Sequence, residues 1–284
     1  MKKRLILLPL MMITFACTQQ RPAETQENIN AFTAMENVYI FDENFYMPQL
    51  DRYRKIWLYL PPDYFNSNKH YPVLYMHDGQ NLFDDLTSFV GEWGVDEVLN
   101  EMFQAGFPGL IVVGIEHGAE ERLNEYSPWK RKGVGGGLGD KHAEFLVQTL
   151  KPAIDNNLRT LPGRGNTGIG GSSMGGLISF YVSLKYPEIF SRSLIFSPAF
   201  WFADKSYALA EKTEMAYDFR MYFLAGGKEH PERDVPKATK RMVDILKNNG
   251  LAEHQYRFVS DPEGIHNEAF WHKYFADAVG FLFY

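Results

Sequence analysis

The pentapeptide Gly171-Ser172-Ser173-Met174-Gly175 constrains this chain more than any other stretch. It sits between a short apolar run, 167–170, and a helix-patterned stretch, 177–185, so it reads as strand, sharp turn and helix. In such an elbow the central serine is held in a strained backbone conformation. The residues two before and two after it must then lack side chains, because neighbouring backbone passes close by. Gly171 and Gly175 meet that demand around Ser173, whereas Ser172 has Met174 two residues after it. Ser173 is therefore the candidate nucleophile. The competing reading is a glycine-rich turn with no chemistry, since the bare pentapeptide also arises by chance.

Around this elbow, apolar runs alternate with helix-period segments, the pattern of a doubly wound α/β sheet. Strands are expected at 38–41, 54–60, 73–77, 110–115, 167–171, 193–197, 221–225 and 256–259. Helices are expected at 95–105, 140–158, 174–186, 205–216, 235–248 and 267–283, with Pro152 kinking the second or starting a new segment. Only a polar turn with Pro48 separates the first two strands, so the sheet should open with an antiparallel hairpin and continue parallel. About eight strands with helices on both faces suit the α/β-hydrolase architecture.

The N-terminus carries a separate message. Met1-Lys2-Lys3-Arg4 and the apolar run 5–16 have the charged and hydrophobic regions of a secretory signal, too short to cross a bilayer. Cys17 follows directly, as in the lipobox of bacterial lipoproteins, although Thr14 stands where leucine is usual; an ordinary signal with an incidental cysteine is the other reading. The polar residues 18–30 read as a tether. The expected organisation is a signal at 1–16, a tether at 17–36 and a catalytic domain at 37–284. The product would be exported, held to the cell envelope by a lipid on Cys17, or else periplasmic or secreted. With a single cysteine, no disulfide can form within the chain. Of 29 basic residues, removing Lys2, Lys3 and Arg4 leaves 26 against 35 acidic ones, a balance that disfavours nucleic acid as a partner.

In open α/β sheets ligands bind beyond the carboxyl ends of the strands, so chemistry should fall in the loops that follow them. A serine hydroxyl needs a base within hydrogen-bond reach, itself oriented by a third group, and in this fold the chain order is serine, acid, histidine. Of the histidines after Ser173, His254 precedes the last strand, His272 falls inside the last helix, and His266 follows the last strand in a turn. His266 is the expected base. The acid should follow the strand at 221–225, and Glu229 is the first carboxylate past Gly226-Gly227; Glu232, Asp234 and Asp261 are the alternatives. Two backbone donors should meet the oxyanion, each contributing roughly 3 kcal/mol to the transition state. Met174 N–H, at the start of its helix, is one, and Gln80 N–H in His77-Asp78-Gly79-Gln80-Asn81 is the other, with Gly79 permitting close approach.

Together with the elbow, the runs HDGQNLFDD (77–85), VGIEHG (113–118), EYSPW (125–129), SPAFW (197–201) and GIHNEAFW (264–271) resemble the Putative esterase family, which includes enterochelin, feruloyl and acetylxylan esterases and is similar to esterase D. The resemblance covers roughly 37–284 in the right order. It implies an α/β-hydrolase without a large cap, and it supports Ser173 and His266; the acid varies in the family and is the softest transfer. Trp93, Trp129, Phe200 and Trp201 lie near these loops, and Trp201, just past a strand end, is the expected substrate contact. The expected function is a serine esterase acting on a small-molecule or carbohydrate ester through an acyl-enzyme. An acyltransferase on the same residues, a non-catalytic surface protein binding glycan or siderophore, and a peptidase are the competitors.

Two other features read as lacking chemistry. Gly133 to Gly139 follows no strand and lacks the Gly-Lys-Ser/Thr ending of a phosphate loop, so a mobile loop at the site's mouth is expected. His77, Asp78, Asp84 and Asp85 show no metal-ligand spacing, and the chemistry calls for neither metal nor cofactor.

Overall fold

The computed structural model describes residues 32–284. The expected signal, Cys17 and most of the tether lie outside the described residues. The chain runs through β1 (Val38–Met47), β2 (Arg52–Tyr59), β3 (Val73–His77), α1 (Val95–Gln104), β4 (Ile111–Ile115), α2 (Arg122–Glu125), α3 (Gly139–Phe145), α4 (Lys151–Asn157), β5 (Thr167–Ser172), α5 (Met174–Lys185), β6 (Arg192–Phe196), α6 (Lys205–Ala210), β7 (Arg220–Gly226), α7 (Val235–Asn248), β8 (Tyr256–Asp261) and α8 (Glu268–Phe283).

The strands form one sheet in the order β1-β2-β4-β3-β5-β6-β7-β8. β1 pairs antiparallel with β2 and β2 antiparallel with β4, while every later pairing is parallel. This is the α/β-hydrolase sheet with the antiparallel opening that the short Pro48 turn implied. β3, β4 and β5 are buried along their whole length, as parallel strands covered on both faces must be. Their side chains alternate between two cores. Val73 and Tyr75 join Ile169, Ile195 and Phe223 beneath α3 to α7. Leu74 and Met76 join Phe196, Tyr222 and Leu224 beneath α1 and α8.

Three departures from the sequence pattern have physical causes. β1 reaches Met47 rather than residue 41, through Asp42, Glu43 and Asn44. It is an edge strand with register shifts on both sides of Asp42, where charged residues face water without cost. The helix expected at 140–158 is interrupted by a π-turn, Leu146–Leu150, in which Lys151 N–H reaches back five residues to Leu146 O. That widened turn comes immediately before Pro152, which has no N–H to continue an ordinary ladder. α6 stops at Ala210 rather than 216. The Ala210 carbonyl, which a continuing helix would bond to residue 214, instead accepts Thr213 N–H at 3.2 Å in a tighter turn and Asn249 Nδ2 at 2.6 Å.

Candidate active site

The elbow is built as its glycines required. Ser173 has φ 57° and ψ −119°, in the left-handed half of backbone space that side chains avoid. It is held there from both sides: its N–H bonds Phe196 O at 3.0 Å, and its carbonyl accepts Leu177 and Ala199 N–H. A Cβ on Gly171 would come within 3.0 Å of Gly175 backbone, and one on Gly175 within 3.2 Å of His77 and Asp78 side-chain atoms. Ser173 occupies the N-cap position of α5, yet its hydroxyl makes no capping bond. The hydroxyl is thereby left free at the rim.

Glu229 and His266 meet across the loops after β7 and β8. His266 Nδ1 lies 2.9 Å from Glu229 Oε2, with the glutamate side chain 1% exposed and the imidazole 37% exposed. The other carboxylate oxygen accepts Gly226 N–H and the Ser197 hydroxyl, the latter at 2.7 Å. Ser197 in turn accepts Trp271 Nε1–H at 2.8 Å, and the Trp271 ring stands edge-on to His266 at 5.2 Å. An indole N–H only donates, so it occupies an acceptor position on Ser197 and turns the hydroxyl proton toward Glu229. Every partner of this buried carboxylate can donate to it, so both of its oxygens are held in place. The alternative acids are committed elsewhere. Asp234 caps α7 through Lys237 N–H, and Glu232 faces solvent. Asp261 takes Lys273, Tyr274 and Glu263 N–H, and these bonds hold it down to about 2.

Ser173 and His266 both line two cavities, so they stand where the cavities meet. The larger, about 500 Å³, is walled by Phe89, Val90, Trp93 and Trp271 on the apolar side and by Asp78, Asn81, His117, Arg122 and Glu268 on the polar side. The smaller, about 120 Å³, is walled by Ser197, Trp201, Glu229, His230, Arg233 and Val235. Trp201 thus reaches the rim, with the Arg233 guanidinium 3.8 Å from its ring and Arg131 5.2 Å away. Of the other aromatics, Trp93 reaches the larger cavity while stacked on Phe196, and Phe200 is core. Trp129 packs edge-on against Tyr181.

The loop after β3 enters through Asp78, which adopts φ 59°, and continues in a tight turn, Gly79–Asn81. A Cβ on Gly79 would lie 2.6 Å from the Gly114 carbonyl carbon, so only glycine lets this turn close on β4. Asp78 and Asn81 line the larger cavity. The Gln80 side chain turns away, its Oε1 accepting His117 N–H at 3.3 Å. Asp78 receives Arg122 in a two-pronged ion pair, 2.6 and 2.8 Å. Burial alone would raise this carboxyl, but Arg122 outweighs it and holds Asp78 below the usual range. Glu268, which accepts Asn81 Nδ2, is instead raised by burial.

His77, Asp78, Asp84 and Asp85 do not converge on a shared ligand position. His77 is packed against His142 and Ser179, Asp78 is taken by Arg122, and Asp84 by Thr33 and Leu86 N–H. The glycine-rich run is pinned rather than loose: Arg131 and Gly135 bridge each other, Gly136 N–H meets Asn124 Oδ1, and Gly137 N–H meets Ser127 O. Ser197, Trp271 and the Asp78–Arg122 pair carry site geometry that the sequence reading left without roles. Ser197 offered a usable signal, since it follows a strand end directly. Trp271 closes the GIHNEAFW run without showing what its indole bonds, and Arg122, also on a helix, offered no signal.

Comparison with known proteins bears on the family and the fold. The family model described as Putative esterase matches residues 48–282. A relative, the uncharacterized protein YbbA of Bacillus subtilis, is 28% identical over 242 residues, covering 81% of this chain and 92% of its own. Among solved structures, a ferulic acid esterase superposes with a TM-score of 0.67 at 16% identity, covering 87% of this chain and 98% of that one. The enterochelin esterase of Shigella flexneri also gives 0.67, at 18% identity over 89% of this chain, which spans 61% of that longer protein. The family match runs through nearly all of the sheet and every loop that builds the rim. The chain is therefore a member of the Putative esterase family, a carboxylic ester hydrolase on the α/β-hydrolase fold.

Proposed function

We propose that the protein is a serine esterase that works through an acyl-enzyme. Ser173 Oγ attacks the ester carbonyl while His266 takes its proton, and Glu229 fixes the imidazole tautomer and stabilises its cation. The Met174 and Gln80 amides receive the oxyanion. Collapse of the tetrahedral intermediate breaks the bond to the alcohol, which leaves with the proton from His266; water then repeats the sequence and releases the acid. The observation that carries this reading is the buried Glu229 bonded to His266 Nδ1 at 2.9 Å, in a cavity wall shared with a serine in the strained elbow. The larger cavity suits an acyl group with a bulky apolar part, and the smaller one, with Trp201, suits the alcohol portion. Ferulate-type and siderophore-type esters, named for the similar structures, are the first substrates to try.

A fluorophosphonate probe tests the nucleophile. It should label the purified chain once, on the peptide containing Ser173; labelling elsewhere only, or none, contradicts the proposal. The two-cavity layout also favours one second reading, transfer of the acyl group to an acceptor alcohol seated beside Trp201. Product analysis with added alcohol separates ester synthesis from hydrolysis. The proposal extends to location, an exported lipoprotein anchored through Cys17, supported by the sequence 1–17. Cys17→Ser should move the protein out of the membrane fraction, and an unchanged distribution counts against acylation. Among the described residues no helix is long and apolar enough to cross a membrane.

A further inference from the structure

Behind the wall of the larger cavity, Glu92, Asp96 and Glu97 each bring one carboxylate oxygen to within 4.8 Å of the others. Asp96 and Glu97 belong to the first turn of α1, where acidic residues are ordinary, and their clustering alone would mean little. Asp96 supplies the second observation. It is 0% exposed; one of its oxygens accepts Met35 N–H at 2.8 Å, and the other, Oδ1, is buried with no hydrogen-bond partner. Glu92 Oε2 and Glu97 Oε2 are likewise buried and unpartnered. Carboxyls gathered away from water must either take up protons or have an opposite charge beside them, and burial, with Glu97 next to them, pushes both Glu92 and Asp96 up from the usual carboxylate range.

We propose that Glu92, Asp96 and Glu97 bind one calcium ion. The donor set is all carboxylate oxygen, the chemistry of a hard cation, and a spacing within 4.8 Å is close to that of oxygens gathered on one calcium, so small side-chain adjustments bring all three to the roughly 2.3–2.6 Å that calcium takes. The site would fasten three pieces of chain. Asp96 already holds the backbone of Met35, ahead of β1. Glu92 N–H bonds Asp85 Oδ1, and Glu92 is followed by Trp93, a wall of the larger cavity. Glu97 continues into α1. The ion would thus brace the segment that carries Phe89, Val90 and Trp93 without touching the reacting atoms.

Terbium luminescence on the purified full chain, stripped with chelator, tests this directly, because the Trp93 indole adjoins Glu92 and can sensitise a bound lanthanide. Expected are saturable emission with one ion per chain, displacement by calcium at concentrations where magnesium is ineffective, and a calcium-dependent rise in melting temperature. Glu97→Gln and Glu92→Gln, at half-buried positions, should weaken binding at least tenfold while circular dichroism stays unchanged. Asp96→Asn is the harsher variant, since it also disturbs the Met35 contact. Absence of saturable binding at millimolar calcium, or equal affinity in Glu97→Gln and the parent, would overturn the proposal and leave the three carboxyls sharing protons instead.

Discussion

The two walls that meet at Ser173 and His266 are built on opposite principles. The wall from the β6, β7 and β8 loops is a closed chain of hydrogen bonds, Trp271 to Ser197 to Glu229 to His266, in which each buried polar atom has its partner. The wall from the β3 loop and the segment after it is open and mostly apolar, with Phe89 86% exposed and Val90 beside it. Such an exposed aromatic gains nothing from the fold. It stands at the mouth of the larger cavity, where the proposed acyl group would cover it. If, as proposed, the first wall directs a proton and the second receives substrate, substitutions on the two sides should change different kinetic constants.

The sharpest break should come on the first wall. Glu229→Gln keeps the shape but replaces the oxygen that accepts from His266, so turnover should fall by about 10⁴ with KM little changed. A loss under tenfold in stopped-assay rates would mean that another carboxylate serves. Beneath the second wall lies a different kind of polar contact, the buried His77–His142 pair at 3.1 Å. If His77 Nδ1–H donates to Gly170 O, its Nε2 must accept from His142, and both rings are neutral. Burial lowers His77 to about 4 and His142 well below its ordinary value. The unfolded chain takes up these protons near pH 6.5 and the folded one does not, so stability is lost as pH falls below about 6.5. For His77 the loss amounts to about 3 kcal/mol by pH 4. Glu92 and Asp96, raised by burial, act in the opposite sense, so the test is a difference: from pH 7 to 4.5 the urea midpoint of the parent should lose ground to that of His142→Leu, and parallel profiles would mean that the pair is solvated.

Smaller effects refine the division. Ser197→Ala and Trp271→Phe should each cost about tenfold in kcat, roughly 1.4 kcal/mol, and the double variant should cost little more than either, because both act through one hydroxyl. Fully additive losses would separate them. Phe89→Ala should raise KM about fivefold for bulky aromatic acyl esters and leave acetyl esters unaffected; equal losses on both would deny the second wall its part in acyl recognition.

The same contrast governs what the sequence revealed. The elbow, His266 and Glu229 were legible because each lies in the loop that follows a strand and obeys a spacing or order that chemistry imposes. The sheet was legible because β3 and β4 are short apolar runs, and β5 because its glycines lead into the elbow. Trp271 and Arg122 were not, since each reaches the site from a helix and shows its role only when another loop folds against it. The edge strand β1 ran past its apolar pattern because bulges let charged residues stay in water. α6 fell short because the side chain of Asn249, thirty-nine residues on, takes a helix carbonyl. Tertiary contacts of this kind leave no local periodicity.

The central claim is that a hydroxyl, an imidazole and a buried carboxylate act together at the rim. Turnover of a short nitrophenyl ester by Ser173→Ala, with folding confirmed by circular dichroism, tests it most directly. A fall on the order of 10⁶ is expected. Hydrolysis at the parent rate would contradict it.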